Sequence, residues 1–81
     1  MENSISRQMD IEKLTVLLPY WLKHNRQHIR DQEIWFEEAQ KAGLLQIAAE
    51  LEKVIDHSKM INRHIENAIF LISNYEGLEV A

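Results

Sequence analysis

The chain has 81 residues, a formal charge of −4 and no cysteine. That length allows one domain near the lower limit of what a single core can stabilise, and the missing cysteine excludes disulfide staples and thiolate metal sites. An acidic chain without a basic block is poorly suited to a phosphate backbone, so nucleic acid is not an expected partner, although Lys23, Arg26, Arg30 and Arg63 supply a local basic patch. No apolar run approaches the roughly 18 residues of a membrane span, and the opening "MENSISRQMD" is too polar for a signal peptide. The expectation is a soluble, cytoplasmic protein that does not engage a membrane.

In chain order, residues 1–9 read as a flexible tail, and Asp10 reads as the N-cap of a first helix over 10–42. The stretch "SISRQ" offers an earlier start. Along this helix Ile11, Leu14, Leu17, Leu18, Trp21, Leu22, Ile29, Trp35, Phe36, Ala39 and Ala42 recur at helical spacing. Pro19 lacks an amide hydrogen and its ring crowds the carbonyl four residues back, so a kink or break is expected there. The kink is favoured over a separate helix at 10–18, because the apolar stripe carries through. The turn falls at "KAGLL", where Gly43 suits the left-handed position after a helix C-terminus and Leu44 the hydrophobic contact that follows. A second helix over 45–75 carries Ile47, Ala48, Leu51, Val54, Ile55, Ile61, Ile65, Ala68, Ile69 and Ile72. Gly77 reads as its stop, with 77–81 as a tail. Two glycines and one proline leave little punctuation for strands, and the chain shows no internal repeat. The fold class is therefore an all-α antiparallel helical hairpin spanning 10–76.

The first helix is apolar over too wide an arc for one neighbour. Leu14, Leu17, Trp21 and Trp35 define one edge; Ile11, Leu18, Leu22, Ile29 and Phe36 define the other. Two hairpins paired as a four-helix bundle would bury both edges, so a homodimer is expected. The alternative is a monomer in which residues 1–18 fold back as a third helix.

Polar residues interrupt this pattern in the middle of both helices. Asn25, His28 and Gln32 fall inside the apolar arc of the first helix, with His24 and Asp31 at its edge. Ser58 and Asn62 lie mid-arc on the second, flanked by His57, Met60 and His64. His24 and His28 are one turn apart on one face, the spacing by which a helix offers two imidazoles to one metal. Asp31 continues that stripe as a third ligand or as a group orienting His28. With the turn near Gly43, residues whose numbers add to about 86 or 87 stand level, which sets all four histidines within about two turns and on one side of the hairpin. The alternatives are half-buried boundary histidines, and a polar layer of Asn25, Gln32, Ser58 and Asn62 that serves only to set register.

Enzyme signatures are missing. There is no HExxH, P-loop, GxSxG or dinucleotide fingerprint. The Glu-x-x-His pairs of diiron bundles would need glutamate where Trp21, Asn25, Val54 and Ile61 stand. A histidine phosphotransfer domain would want a basic residue and a small glycine shoulder that "HSKMINRH" does not supply.

The stretch "LLPYWLKHNRQHIRDQEIWFEEAQKAGL" resembles a small helical domain of anaerobic bacteria and archaea. That domain's pattern runs Leu-Leu-Pro-His-Trp, then His-Asn-x-x-His, then a tryptophan seven residues on and a glycine turn. The likeness covers Leu17 to Leu44 and rests on Pro19, Trp21, His24, Asn25, His28 and Trp35, departing at Tyr20, where the pattern has a third histidine. It implies a histidine-rich helical hairpin without fixed histidines on the second helix. The residues themselves suggest a non-enzymatic, transition-metal-binding bundle for storage, sensing or delivery. His24 and His28 are the primary ligands, and His57, His64 and Asp31 are further candidates. Nitrogen ligands without thiolate suit Zn²⁺, Ni²⁺, Co²⁺ or Cu²⁺. The alternative is a metal-free structural or adaptor bundle that binds another protein.

Overall fold

A computed structural model describes residues 4–80, with side chains described for 5–75; residues 1–3 and 81, the outer parts of the two expected tails, lie outside it. Two helices, α1 (Ser4–Lys41) and α2 (Leu45–Val80), form an antiparallel hairpin with no strand among the described residues. The chain is helical before Asp10, so the earlier start at "SISRQ" is the one used. Arg7 there packs its guanidinium over the Tyr75 ring, 5.5 Å from the centroid, which ties the first turns of α1 to α2. At the other end α2 continues through Gly77, because one glycine inside a helix costs only about 1 kcal/mol relative to alanine.

Pro19 sits within a continuous 38-residue α1. The long dimension of 57 Å is what 38 residues rising about 1.5 Å each predict, so the helix bends at most and does not break. The remaining dimensions, 24 and 14 Å, are two helices wide and one helix thick. Residues 4–18 therefore extend α1 and do not fold back as a third helix.

The turn is built from backbone bonds. Gly43 adopts φ 76°, and the Leu44 amide donates to the Ala39 carbonyl at 2.9 Å while the Gly43 amide donates to Gln40 at 3.0 Å. These are the two bonds of a Schellman motif. The Leu44 carbonyl then accepts from Ala48 at 2.9 Å and starts α2.

Burial follows a strict three–four alternation. In α1 the buried and half-buried positions are Gln8, Ile11, Thr15, Leu18, Leu22, Asn25, Ile29, Gln32, Phe36 and Ala39. In α2 they are Ala48, Leu51, Ile55, Ser58, Asn62, Ile65, Ile69 and Ile72, with Ala68 beside them. This 3.5-residue period is that of an antiparallel coiled-coil seam. One seam between two helices makes a thin core: among the described residues no large side chain is fully buried. The radius of gyration, 18.1 Å, exceeds the roughly 12 Å of a compact domain of this length.

Candidate functional site

With the seam as positions a and d of a heptad, the outer columns of the two helices sort by chemistry. In an antiparallel pair the e columns face each other along one side and the g columns along the other. The e side is charged, with Glu12, Arg26 and Glu33 on α1 and Glu52, Lys59 and Glu66 on α2, and Lys59 reaches Glu33 across it at 3.8 Å. The g side is apolar. It carries Leu14, Trp21, Trp35 and Ala42 on α1, and Ile47, Val54, Ile61, Ala68 and Tyr75 on α2. Two shallow depressions mark this side, one lined by Trp35, Ala42, Ile47 and neighbours, the other by Leu14, Ile72, Tyr75 and neighbours. Of the two expected edges of α1, that of Ile11, Leu18, Leu22, Ile29 and Phe36 packs on α2. The other stays open, with Trp21 at 44% and Trp35 at 65% exposure.

Between Leu14 and Ala42, His28 is the one polar residue in the α1 g column, whose first member is Arg7, and His24 stands beside it in column c. Their Nε2 atoms are 3.0 Å apart and their rings meet edge to face, with centroids 4.5 Å apart. The Tyr20 ring stacks on His24 at 5.9 Å, with planes 10° apart. The i, i+4 spacing of Tyr20 and His24 made that stacking legible, yet sequence reasoning passed over it. Asp31 accepts a bond from Gln27 Nε2 at 3.3 Å, and Gln27 in turn accepts from Arg30 at 2.6 Å, so the bonds drawn at Asp31 run along its own helix.

His57 and His64 lie in column c of α2, on the same g-side half of the hairpin as His24 and His28. His57 donates from Nδ1 to its own-helix carbonyl at Lys53, 2.7 Å away, which leaves the Nε2 lone pair outward. Column c of each helix points away from the shared seam, so His24 sits on one flank and His57 and His64 on the other, with His28 in the g column of the first helix. Within one chain the structure thus brings His24 and His28 together and leaves His57, His64 and Asp31 apart from them. Among the described residues no three histidine or carboxylate side chains gather into one cluster.

Beneath the histidines runs the polar layer. Asn25 donates from Nδ2 to Asn62 Oδ1 at 2.7 Å and to the Ser58 carbonyl at 3.0 Å, in the expected register. Ser58 and Asn62 are buried polar residues, and Gln32 Oε1 is buried without a hydrogen-bond partner.

Fold and site together define a small helical-hairpin domain with one charged side and one apolar, histidine-bearing side. The chain belongs to the family described as domain of unknown function DUF8180, whose model matches residues 14–72, the span of the paired heptads. No curated protein and no solved structure matches it.

Proposed function

We propose that the protein binds a divalent transition metal ion through His24 and His28, for storage, sensing or delivery rather than catalysis. The observation that carries this reading is the approach of the two Nε2 atoms to 3.0 Å. Two imidazole nitrogens about 2.0–2.1 Å from one tetrahedral ion would stand about 3.3 Å apart, close to this separation, and Zn²⁺, Ni²⁺, Co²⁺ or Cu²⁺ would take the place of the hydrogen now shared by the two rings once both lone pairs turn to it. Tyr20 stacked on His24 limits where that ring can turn. His57, with Nδ1 already donated to a carbonyl, has the hydrogen bond that usually fixes the ring of a metal-ligating imidazole. The His-Asn-x-x-His arrangement of the resembled domain is the same pair on the same helix.

Titrating Ni²⁺, Zn²⁺, Co²⁺ or Cu²⁺ into tag-free protein tests it. An ion at 100 times its dissociation constant stabilises the folded state by about 2.7 kcal/mol, a rise of roughly 10 °C or more for a domain of this size. His24→Ala and His28→Ala should each remove most of the rise. A melting curve that none of the four ions moves rejects the reading. The second reading, a metal-free structural or adaptor hairpin, draws on the Asn25–Asn62 pair, which fixes register whether or not a metal binds.

A further inference from the structure

The g side is large enough to be an interface. Its big apolar side chains together expose on the order of 900 Å², close to the roughly 800 Å² per partner of a standard protein interface. The opposite side presents Glu12, Arg26, Glu33, Glu52, Lys59 and Glu66, so covering the g side removes more apolar surface from water at a smaller cost in charge.

We infer that the face is covered by a second copy of the chain, with both turns at the same end, and that the partner's His57 and His64 complete the site begun by His24 and His28. The inference rests on the proposed metal role for its second half and on the pattern of the outer columns for its first. A two-fold axis running along the hairpin lays α1 over the partner's α2, antiparallel and level. Column c then meets column c across the interface: Leu17 against the partner's Leu71, His24 against the partner's His64, and Asp31 against the partner's His57. Apolar faces apolar, imidazole faces imidazole, and carboxylate faces imidazole. The remaining pair is Glu38 against the partner's Glu50, and each of these carboxylates already has a lysine, Lys41 at 3.7 Å and Lys53 at 3.2 Å. With turns at opposite ends, centred overlap would instead set Leu17 against the partner's Glu38 and Leu71 against the partner's Glu50. That arrangement strands leucine against charge twice. The same-end dimer also accounts for histidines that share a side of the hairpin but not a flank. The two flanks of one chain are far apart, whereas a flank of α1 and a flank of the partner's α2 are adjacent.

Two experiments separate the halves. The chain has no cysteine, so Leu17→Cys with Leu71→Cys introduces the only thiols, on opposite flanks of one hairpin. Oxidation should give a covalent dimer, and the parent should scatter light at about twice 9.6 kDa. A stable monomer, or cross-linking of Leu17→Cys with Glu38→Cys in place of this pair, overturns the same-end dimer. For the site, a His24→Ala/His28→Ala chain is mixed with a His57→Ala/His64→Ala chain and titrated with Ni²⁺ alone. Each variant alone should bind at least about tenfold more weakly than the parent, and after exchange each mixed dimer should regain about one tight ion, because one of its two sites is whole. Tight binding by the parent without recovery on mixing overturns the shared site. A parent that binds no Ni²⁺, Zn²⁺, Co²⁺ or Cu²⁺ while the 17–71 disulfide forms overturns the metal role and sustains the interface.

Discussion

Replacing Asn25 by leucine should destabilise the hairpin even though it adds apolar surface to the seam. Asn25 is the donor in both bonds of the polar layer, to Asn62 Oδ1 at 2.7 Å and to the Ser58 carbonyl at 3.0 Å. Its removal leaves the Asn62 amide, 8% exposed, without its partner. Stranding a buried polar group costs about 1–3 kcal/mol, and burying part of a leucine returns about 1 kcal/mol. The net expectation for Asn25→Leu is a loss of about 1 kcal/mol, a melting point lower by about 4–8 °C. Asn62→Leu alone should be milder, since Asn25 keeps the Ser58 carbonyl. Both substitutions together remove both amides of the pair and set two leucines in register. The double variant should exceed the parent by about 2 kcal/mol, giving a coupling energy of about 3–4 kcal/mol between the sites. Urea unfolding followed by circular dichroism at one fixed chain concentration measures the cycle; the fixed concentration keeps association from entering the comparison. Additivity within about 0.5 kcal/mol would refute the argument, because independent sites cannot share the pair.

Other substitutions test neighbouring parts of the same account. Gln32 Oε1 is buried without a partner, so Gln32→Leu should stabilise by about 1–3 kcal/mol, read as a higher urea midpoint at unchanged slope. Pro19→Ala restores an amide to a helix that already runs through it, and should raise stability by up to about 3 kcal/mol with equal or greater ellipticity at 222 nm; a loss of helix would contradict the continuous α1. A Cβ on Gly43 would meet nothing within 4 Å, so Gly43→Ala carries only the left-handed penalty of about 1–2 kcal/mol, and a thermal melt showing a much larger loss would place an unseen contact at the turn.

The fold was legible because three signals agreed. Helical periodicity ran the length of both segments, Gly43 stood alone between them, and Leu44 followed it in the place a Schellman motif requires. Helix ends were less legible: Asp10 is a good cap by type, but a cap residue inside a longer helix looks the same in sequence, and Ser4 was equally eligible. The two edges of α1 were readable, but not which of them packs on α2, since Leu14, Leu17 and Trp21 keep the same three–four spacing as the edge that is buried. The site was legible only in part. Spacing along one helix fixed the His24–His28 pair, whereas the lateral distance from His24 to His57 depends on which column each occupies around the seam. A level register says nothing about that.

The histidines and the polar layer occupy the same height on the hairpin, and this has a thermodynamic consequence. Asn25 lies between His24 and His28 in sequence and pairs across the seam with Asn62, itself between His57 and His64 in order along α2. At that height the seam has exchanged apolar packing for hydrogen bonds, whose net contribution is about 1 kcal/mol each. The centre of the helix pair is therefore held less by apolar packing than the stretches on either side of it. Above and below it, Trp21 and Trp35 offer the surface that such a cover would bury. An ion held there between two chains would bind only the associated form, so by linkage the metal would tighten association and association would tighten the metal by the same factor. In the proposed dimer the polar layer would make the middle of the hairpin depend on its partner, and that dependence would couple metal occupancy to assembly.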